Sequence, residues 1–155
     1  MNLSIMTSMS MGKNRKIFVD TSGLLALFDR KDQYHQSAAE YYRKISTRKK
    51  VITNLIVAET YTRLRQQAGF DLAMTFLAAI DAAKNSGLLD LVYSNARIET
   101  LSRSYLDKYH DHKLSYTDAV SFAVILQPRS EIHEIFAYDR HFIMTKKLVC
   151  PGLGK

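Results

Sequence analysis

The stretch IFVDTSGLLALF, residues 17–28, joins a short apolar run to a longer apolar segment across a few small or polar residues. The apolar run at 17–19 predicts a buried strand. A helix is expected directly after it, because Thr21 or Ser22 can cap a helix N-terminus. Gly23 has no side chain and therefore permits a close approach of the backbone to a neighbouring segment. The pattern indicates a strand–turn–helix unit with Asp20 at its corner.

The rest of the chain repeats this alternation of strand and helix. Strands that alternate with helices form βαβ units, so we predict an α/β fold in three layers. Its mainly parallel sheet would be covered by helices on both faces. The further predicted strands lie at 51–53, 89–93 and 135–138, and stretches with helical spacing lie at 36–49, 70–85 and 95–110.

The length and composition predict one domain at 16–155, preceded by a flexible tail at 1–15. The 155 residues carry 22 Lys and Arg against 15 Asp and Glu, a formal net charge of +7. Cys150 is the single cysteine, which excludes an internal disulfide and a zinc site built from cysteines. Neither a secretory signal nor the roughly 18 apolar residues of a membrane span is evident, so we expect a cytoplasmic protein. A basic protein attracts polyanions, above all nucleic acid.

Aspartates follow two of the predicted strands. Asp20 comes after the strand at 17–19, and Asp139 comes after the strand at 135–138. Because the carboxyl ends of parallel strands lie at one edge of a sheet, both carboxylates are expected there. Each aspartate can also serve only as a helix cap or a turn residue, and that alternative stays open for both.

Another two carboxylates lie near the start of predicted helices. Asp118 comes three residues after Ser115 in LSYTDAVSFAVIL, which is the spacing of a capping box at the mouth of an apolar and therefore buried helix. Glu59 lies in the apolar run LIVAE, shortly after the strand at 51–53. The alternatives are a purely structural cap for Asp118 and an exposed ion pair between Glu59 and Arg63.

Carboxylates that meet in one pocket need a counter-charge, because like charges at short range repel and raise each other's pKa. A divalent cation supplies it, and ligation by oxygen alone favours Mg²⁺ or Mn²⁺ over zinc. Such ions activate a water and neutralise the charge that develops on a phosphate. In a basic protein, this combination predicts phosphodiester hydrolysis.

The ordered set DTSGLLALF, LIVAE, LSYTDAVSFA and AYDRHF resembles the PIN domain family, which includes the VapC-type toxin ribonucleases. The resemblance implies a five-stranded parallel sheet with a metal site at its C-terminal edge, and the last strand is expected near 148–149. It also implies RNA cleavage with Mg²⁺ or Mn²⁺ that leaves a 3′-hydroxyl and a 5′-phosphate. A small antitoxin that covers the site and a homodimer are further family expectations. By position, the catalytic and metal-binding residues are Asp20, Glu59, Asp118 and Asp139, with Thr21, Ser22 and Thr117 in support.

Three arginines are expected to contact RNA phosphates, because a guanidinium binds phosphate oxygens in pairs: Arg63, Arg65 and Arg140. Arg140 can equally form a structural ion pair with the neighbouring Asp139. The basic run RKISTRKK at 43–50 is either a solvated helix end or a further RNA contact. The sequence leaves two other function classes to compare with a nuclease. A PIN-like module would bind RNA or a protein without cutting it. A receiver-type signalling domain needs an aspartate after the third strand, where this chain has YSNAR.

Overall fold

The computed structural model describes residues 15–152 and contains a five-stranded sheet. Of the tail predicted at 1–15, all but Arg15 lies outside the described residues. The strands are β1 (Lys16–Val19), β2 (Lys50–Thr53), β3 (Leu89–Val92), β4 (Ile132–Phe136) and β5 (Leu148–Cys150). The helices are α1 (Thr21–Phe28), α2 (His35–Ile45), α3 (Asn54–Gln67), α4 (Phe70–Asn85), α5 (Ala96–Lys108), α6 (Tyr116–Ile125) and a 3-10 helix (Arg140–Thr145).

The strand order is β3-β2-β1-β4-β5, and every neighbouring pair is parallel. Strands β2 and β3 are added on one side of β1, whereas β4 and β5 are added on its other side. Right-handed crossovers therefore place α1 to α4 over one face of the sheet and α5 and α6 over the other. The predicted α/β fold with a parallel five-stranded sheet is confirmed. Because β1 and β4 are neighbours, with Val19 opposite Phe136, the segments that follow them leave the sheet at the same edge.

The core lies on both sides of β1 and around α6. Ile17 and Phe18 have no exposed surface, as expected for a central parallel strand covered on both faces. Helix α6 is buried from Asp118 to its end, because its sequence offers no polar face. Within it, Phe122 packs edge-on against Phe142 of the 3-10 helix, with ring centroids 5.6 Å apart. This packing fixes the N-terminus of α6 relative to the sheet edge.

Strand β4 starts and ends earlier than the predicted strand at 135–138. Its earlier start brings Glu134 into the sheet, where Arg48 neutralises the carboxylate at 2.8 Å and Tyr41 donates a hydrogen bond to it. Its earlier end follows from Tyr138, whose backbone N–H donates to Oγ of Ser22 (2.9 Å) and not to a neighbouring strand. Side-chain partners distant in the sequence thus set both ends of this strand.

The other element boundaries follow the predictions with small shifts. The strand expected near 148–149 is present as β5, parallel to β4. Helix α2 ends at Ile45 and not at 49, since Lys50 already pairs with β1. None of the helices within residues 15–152 is both long and apolar enough to cross a membrane.

Candidate metal centre

Asp20 lies at the corner between β1 and α1, with 3% of its surface exposed. Its backbone N–H donates to the carbonyl of Phe136 at the end of β4 (3.0 Å). Its Oδ2 accepts two hydrogen bonds from Ser22, one from the backbone N–H (3.0 Å) and one from Oγ (2.6 Å). Because the same Oγ accepts the N–H of Tyr138, one hydroxyl group holds Asp20 against the end of β4.

Gly23 permits the close approach of α1 to the sheet that the sequence predicts. A Cβ atom at this position would lie 2.7 Å from the carbonyl oxygen of Phe136, a distance that Cβ atoms do not adopt. The first turn of α1 therefore packs directly on the backbone of β4. A side chain at this position would require α1 or β4 to shift.

Asp118 lies in the first turn of α6 and is 8% exposed. Oγ of Ser115 accepts the N–H of Asp118 (3.0 Å), and Oδ2 of Asp118 accepts the N–H of Ser115 (3.1 Å). The predicted capping box is confirmed. It occupies only part of the acceptor capacity of the carboxylate, since an ionised aspartate offers two oxygens with several lone pairs. The cap and a further chemical role are therefore compatible.

Burial and mutual repulsion raise the pKa of two of these carboxyl groups. Burial raises the pKa of Asp20 from 3.8 to about 7 against the hydrogen bonds from Ser22, and the charges of Asp118 and Asp139 add to the rise. Burial also raises the pKa of Asp118, again with a contribution from Asp139, while hydrogen bonds from Ser115 oppose it. A nearby cation would favour the ionised forms and lower both pKa values.

Asp118 and Asp139 meet a third side chain, His141, which the sequence interpretation did not include. Asp139 caps the 3-10 helix, and its Oδ1 accepts the backbone N–H of His141 (2.9 Å). One ligand atom from each of the three side chains lies within 4.8 Å of the others. Nδ1 of His141 is 3.3 Å from Oδ1 of Asp139 and 3.5 Å from Oδ2 of Asp118. His141 follows Asp139 by two residues in the sequence DRH. The 3-10 turn that Asp139 caps places the side chains of these two residues on the same side of the chain.

Glu59 is not a member of this group of ligand atoms. Its side chain is 32% exposed, and Oε1 lies 4.0 Å from Nη1 of Arg63, the pairing that was the alternative prediction. Arg63 in turn lines a cavity of about 230 Å³ together with Ser22 and Asp139. Glu59 thus contacts Arg63, which in turn lies at the edge of the site. Its role as a metal ligand stays a prediction.

The remaining predicted residues lie at different distances from the carboxylates. Thr21 is buried, and its Oγ1 has no hydrogen-bond partner in the described part of the chain. Thr117 is half-buried in the first turn of α6. Arg65 packs over the ring of Phe70, with the guanidinium carbon 5.5 Å from the ring centre. Arg140 is exposed at the start of the 3-10 helix. The supporting and RNA-binding roles of these residues stay predictions.

The donor set fits a divalent cation. Two ligands that each lie about 2.1 Å from one ion are about 3.0 Å apart at a right angle and about 3.4 Å apart at the tetrahedral angle. The separations of 3.3 and 3.5 Å between Nδ1 of His141 and the two carboxylates are of this size. This nitrogen is buried and makes no hydrogen bond within residues 15–152. Asp118, Asp139 and His141 would hold the ion, and Asp20 supplies further negative charge beside them.

Comparisons with known proteins relate the whole arrangement to characterised relatives. The family model of the PIN domain matches residues 17–148. The 23S rRNA-specific endonuclease VapC20 of Mycobacterium tuberculosis is 28% identical over 128 residues, which cover 81% of this chain and 91% of that protein. A crystal structure of Mycobacterium tuberculosis VapC20, a toxin that cleaves the sarcin–ricin loop, superimposes with a TM-score of 0.73 at 25% identity, covering 85% of this chain and 96% of that one. The chain therefore belongs to the PIN domain family.

Proposed function

We propose that this protein is a metal-dependent endoribonuclease and the toxin of a type II toxin–antitoxin pair. One observation carries the proposal: Asp118 and Asp139 come together with a histidine at the edge of the sheet, beside Asp20, whose pKa is raised by burial and further by the charges of these two aspartates. Such a group of carboxylates is stable as anions only with a cation among them. Membership of the PIN family and the similarity to an rRNA endonuclease support the class of reaction.

The proposed catalytic and metal-binding carboxylates are Asp20, Glu59, Asp118 and Asp139. A bound Mg²⁺ or Mn²⁺ would supply a more acidic water and neutralise charge on the phosphate during hydrolysis. The chain itself positions the carboxylates. Ser22 orients Asp20 through its two hydrogen bonds, and the capping box with Ser115 fixes Asp118. Thr21 and Thr117 add hydroxyl groups in the first turns of α1 and α6, where they are proposed to orient the carboxylates or the RNA.

RNA is proposed to bind through its phosphates. The net charge of +7 attracts the polyanion at long range. Arg63 is the best placed side chain for a direct contact, since it is 47% exposed and lines the cavity beside Asp139. Its guanidinium can bind two phosphate oxygens at once. Arg65 and Arg140 are proposed to extend the contact along the RNA.

The similarity to VapC20 indicates the substrate that we propose to test first, the sarcin–ricin loop of 23S rRNA. A small antitoxin protein that covers the carboxylates would keep the enzyme inactive. A homodimer and a cytoplasmic location complete the proposal.

A second candidate function is a PIN-like module that binds RNA or a partner protein without cutting. The pairing of Glu59 with Arg63 favours it, because that pairing leaves one predicted carboxylate outside the group of ligand atoms. The nuclease and an RNA-binding module both predict that the protein binds RNA, but only the nuclease predicts cleavage that depends on a divalent ion.

A cleavage assay tests the proposal. The protein is incubated with a sarcin–ricin hairpin RNA or with total tRNA, in Mg²⁺, in Mn²⁺ or in EDTA. We expect cleavage of at least one RNA with 5′-phosphate products, and none in EDTA. Asp118→Asn should keep the wild-type circular dichroism spectrum and lose about 100-fold or more in rate, since it removes charge where the transition state needs a cation. Asp81→Asn, at an exposed position of α4, is the matched control and should cut like the wild type.

The outcomes separate the two candidates. Binding of RNA without cleavage in any metal supports the binding module. Cleavage by folded Asp118→Asn at the wild-type rate refutes the assignment of the site.

A further inference from the structure

We propose that His141 is a direct metal ligand through Nδ1, and that this nitrogen makes the site select Mn²⁺ over Mg²⁺. The inference rests on the proposed function, because it assumes that Asp118 and Asp139 hold a divalent ion. It goes beyond that function by assigning a ligand outside the predicted carboxylates and a preference between two ions.

The surroundings of His141 hold its backbone beside the carboxylates. Its backbone N–H is bound by Oδ1 of Asp139 (2.9 Å). The next residue, Phe142, is completely buried and packs against the rings of Phe122 (5.6 Å) and Phe18 (6.4 Å). The backbone of His141 therefore cannot move away without opening the core.

The buried atom of the imidazole is the one that lies nearest the carboxylates. The side chain as a whole is 29% exposed, whereas Nδ1 is inaccessible and has no hydrogen-bond partner among residues 15–152. A buried polar atom without a partner is costly unless a ligand satisfies it. When the ring proton is on Nε2, Nδ1 offers a lone pair to a cation.

A nitrogen donor changes which ion the site prefers. Mg²⁺ is a hard cation that favours oxygen ligands and gives up its waters reluctantly. Imidazole suits first-row transition ions, whose affinity for such sites rises from Mn²⁺ towards Cu²⁺. Mn²⁺ is the weakest binder of that series, but unlike Mg²⁺ it gains from a nitrogen ligand. A site with two carboxylates and one imidazole therefore favours Mn²⁺ over Mg²⁺ more than a site of carboxylates alone, and removal of the imidazole should reduce that preference.

His141 has one competing role, which predicts the opposite sign. As an imidazolium it would neutralise Asp118 and Asp139 in place of a metal ion. Its removal would then free negative charge and raise the affinity for every divalent ion. If His141 is a metal ligand, its removal lowers the affinity for both ions, and lowers it more for Mn²⁺ than for Mg²⁺.

The test uses the full chain without RNA and compares the wild type with His141→Asn and with the control His133→Asn, an exposed histidine in β4. Calorimetric titration gives the two affinities. We expect His141→Asn to lower the Mn²⁺ affinity about tenfold or more and the Mg²⁺ affinity less than about threefold. Electron spin-echo envelope modulation of bound Mn²⁺ should show coupling to a nitrogen nucleus in the wild type and in His133→Asn, but not in His141→Asn.

Several results would overturn the assignment. One is an equal loss of affinity for Mn²⁺ and Mg²⁺ in His141→Asn, and another is a gain of affinity for either ion. The third is nitrogen coupling that persists in His141→Asn. The spectrum of the wild type does not depend on whether a variant folds. Absence of nitrogen coupling in that spectrum would by itself refute ligation by His141. If the wild type still cleaves RNA and Asp118→Asn does not, any of these results leaves the nuclease proposal standing. A wild type that binds neither ion contradicts both proposals.

Discussion

Replacement of Asp20 by asparagine should stabilise the metal-free protein at neutral pH and above while it abolishes cleavage. The folded-state pKa of Asp20, about 7, lies above its ordinary value of 3.8 because the carboxyl group is buried. The folded state therefore binds the proton more tightly than the unfolded state. The resulting stability is fully present below about pH 4 and is lost as the pH rises through about 7.

The shift sets the size of the effect. At 1.36 kcal/mol per pKa unit, it corresponds to about 4 kcal/mol that the wild type loses between about pH 4 and about pH 8. The shift is a net value that already includes the hydrogen bonds from Ser22 to the anion. Asparagine carries no charge and keeps a carbonyl acceptor for Ser22, so it avoids most of this loss. We expect Asp20→Asn to be about 3–4 kcal/mol more stable than the wild type at about pH 8 and close to the wild type at about pH 4.

Urea unfolding in EDTA at the two pH values measures this difference. Asp29→Asn is the matched control, since Oδ1 of Asp29 accepts the backbone N–H of Lys31 (2.9 Å) in the same local contact, but its side chain is half-exposed. The change in stability between the two pH values should be larger for Asp20→Asn than for this control. Equal destabilisation by Asp20→Asn at both pH values would refute the reasoning.

Three further perturbations have defined outcomes. Gly23→Ala should lower the free energy of unfolding by about 1–3 kcal/mol in urea, because its Cβ meets backbone, and wild-type stability would contradict this. Mn²⁺ at about 100 times its dissociation constant should stabilise the wild type by about 2.7 kcal/mol in thermal unfolding and stabilise Asp118→Asn much less; an equal shift would place the ion elsewhere. Arg63→Ala should lower kcat/KM for RNA about tenfold and more than Arg65→Ala, whose guanidinium packs on an aromatic ring; the reverse order would place the RNA on another surface.

The parts of the fold that local patterns specify were predictable from the sequence. Residues 17–19 are all apolar, and the helix that starts at Tyr116 is almost wholly apolar beyond its first turn; elements of that kind have to be buried. The bounds of β4 were not predictable. A charged residue, Glu134, interrupts the apolar run, and the partner that neutralises it, Arg48, is 86 residues away in the chain.

The candidate site was predictable to the extent that strand ends define it. Asp20 and Asp139 follow neighbouring parallel strands, so their approach follows from topology alone. For Asp118 the sequence suggested either a helix cap or a site residue. In the structure Asp118 forms the capping box with Ser115 and also lies beside Asp139 and His141. His141 was missed because a single histidine carries no periodic signal, and only the short 3-10 turn brings it back to the carboxylates.

Anomalous diffraction from crystals grown with Mn²⁺ tests the central claim most directly, because it locates the ion without reference to activity. We expect a peak within coordination distance of carboxylate oxygens of both Asp118 and Asp139. A peak on another surface, or no peak near these side chains at saturating Mn²⁺, would contradict a metal centre at this edge of the sheet.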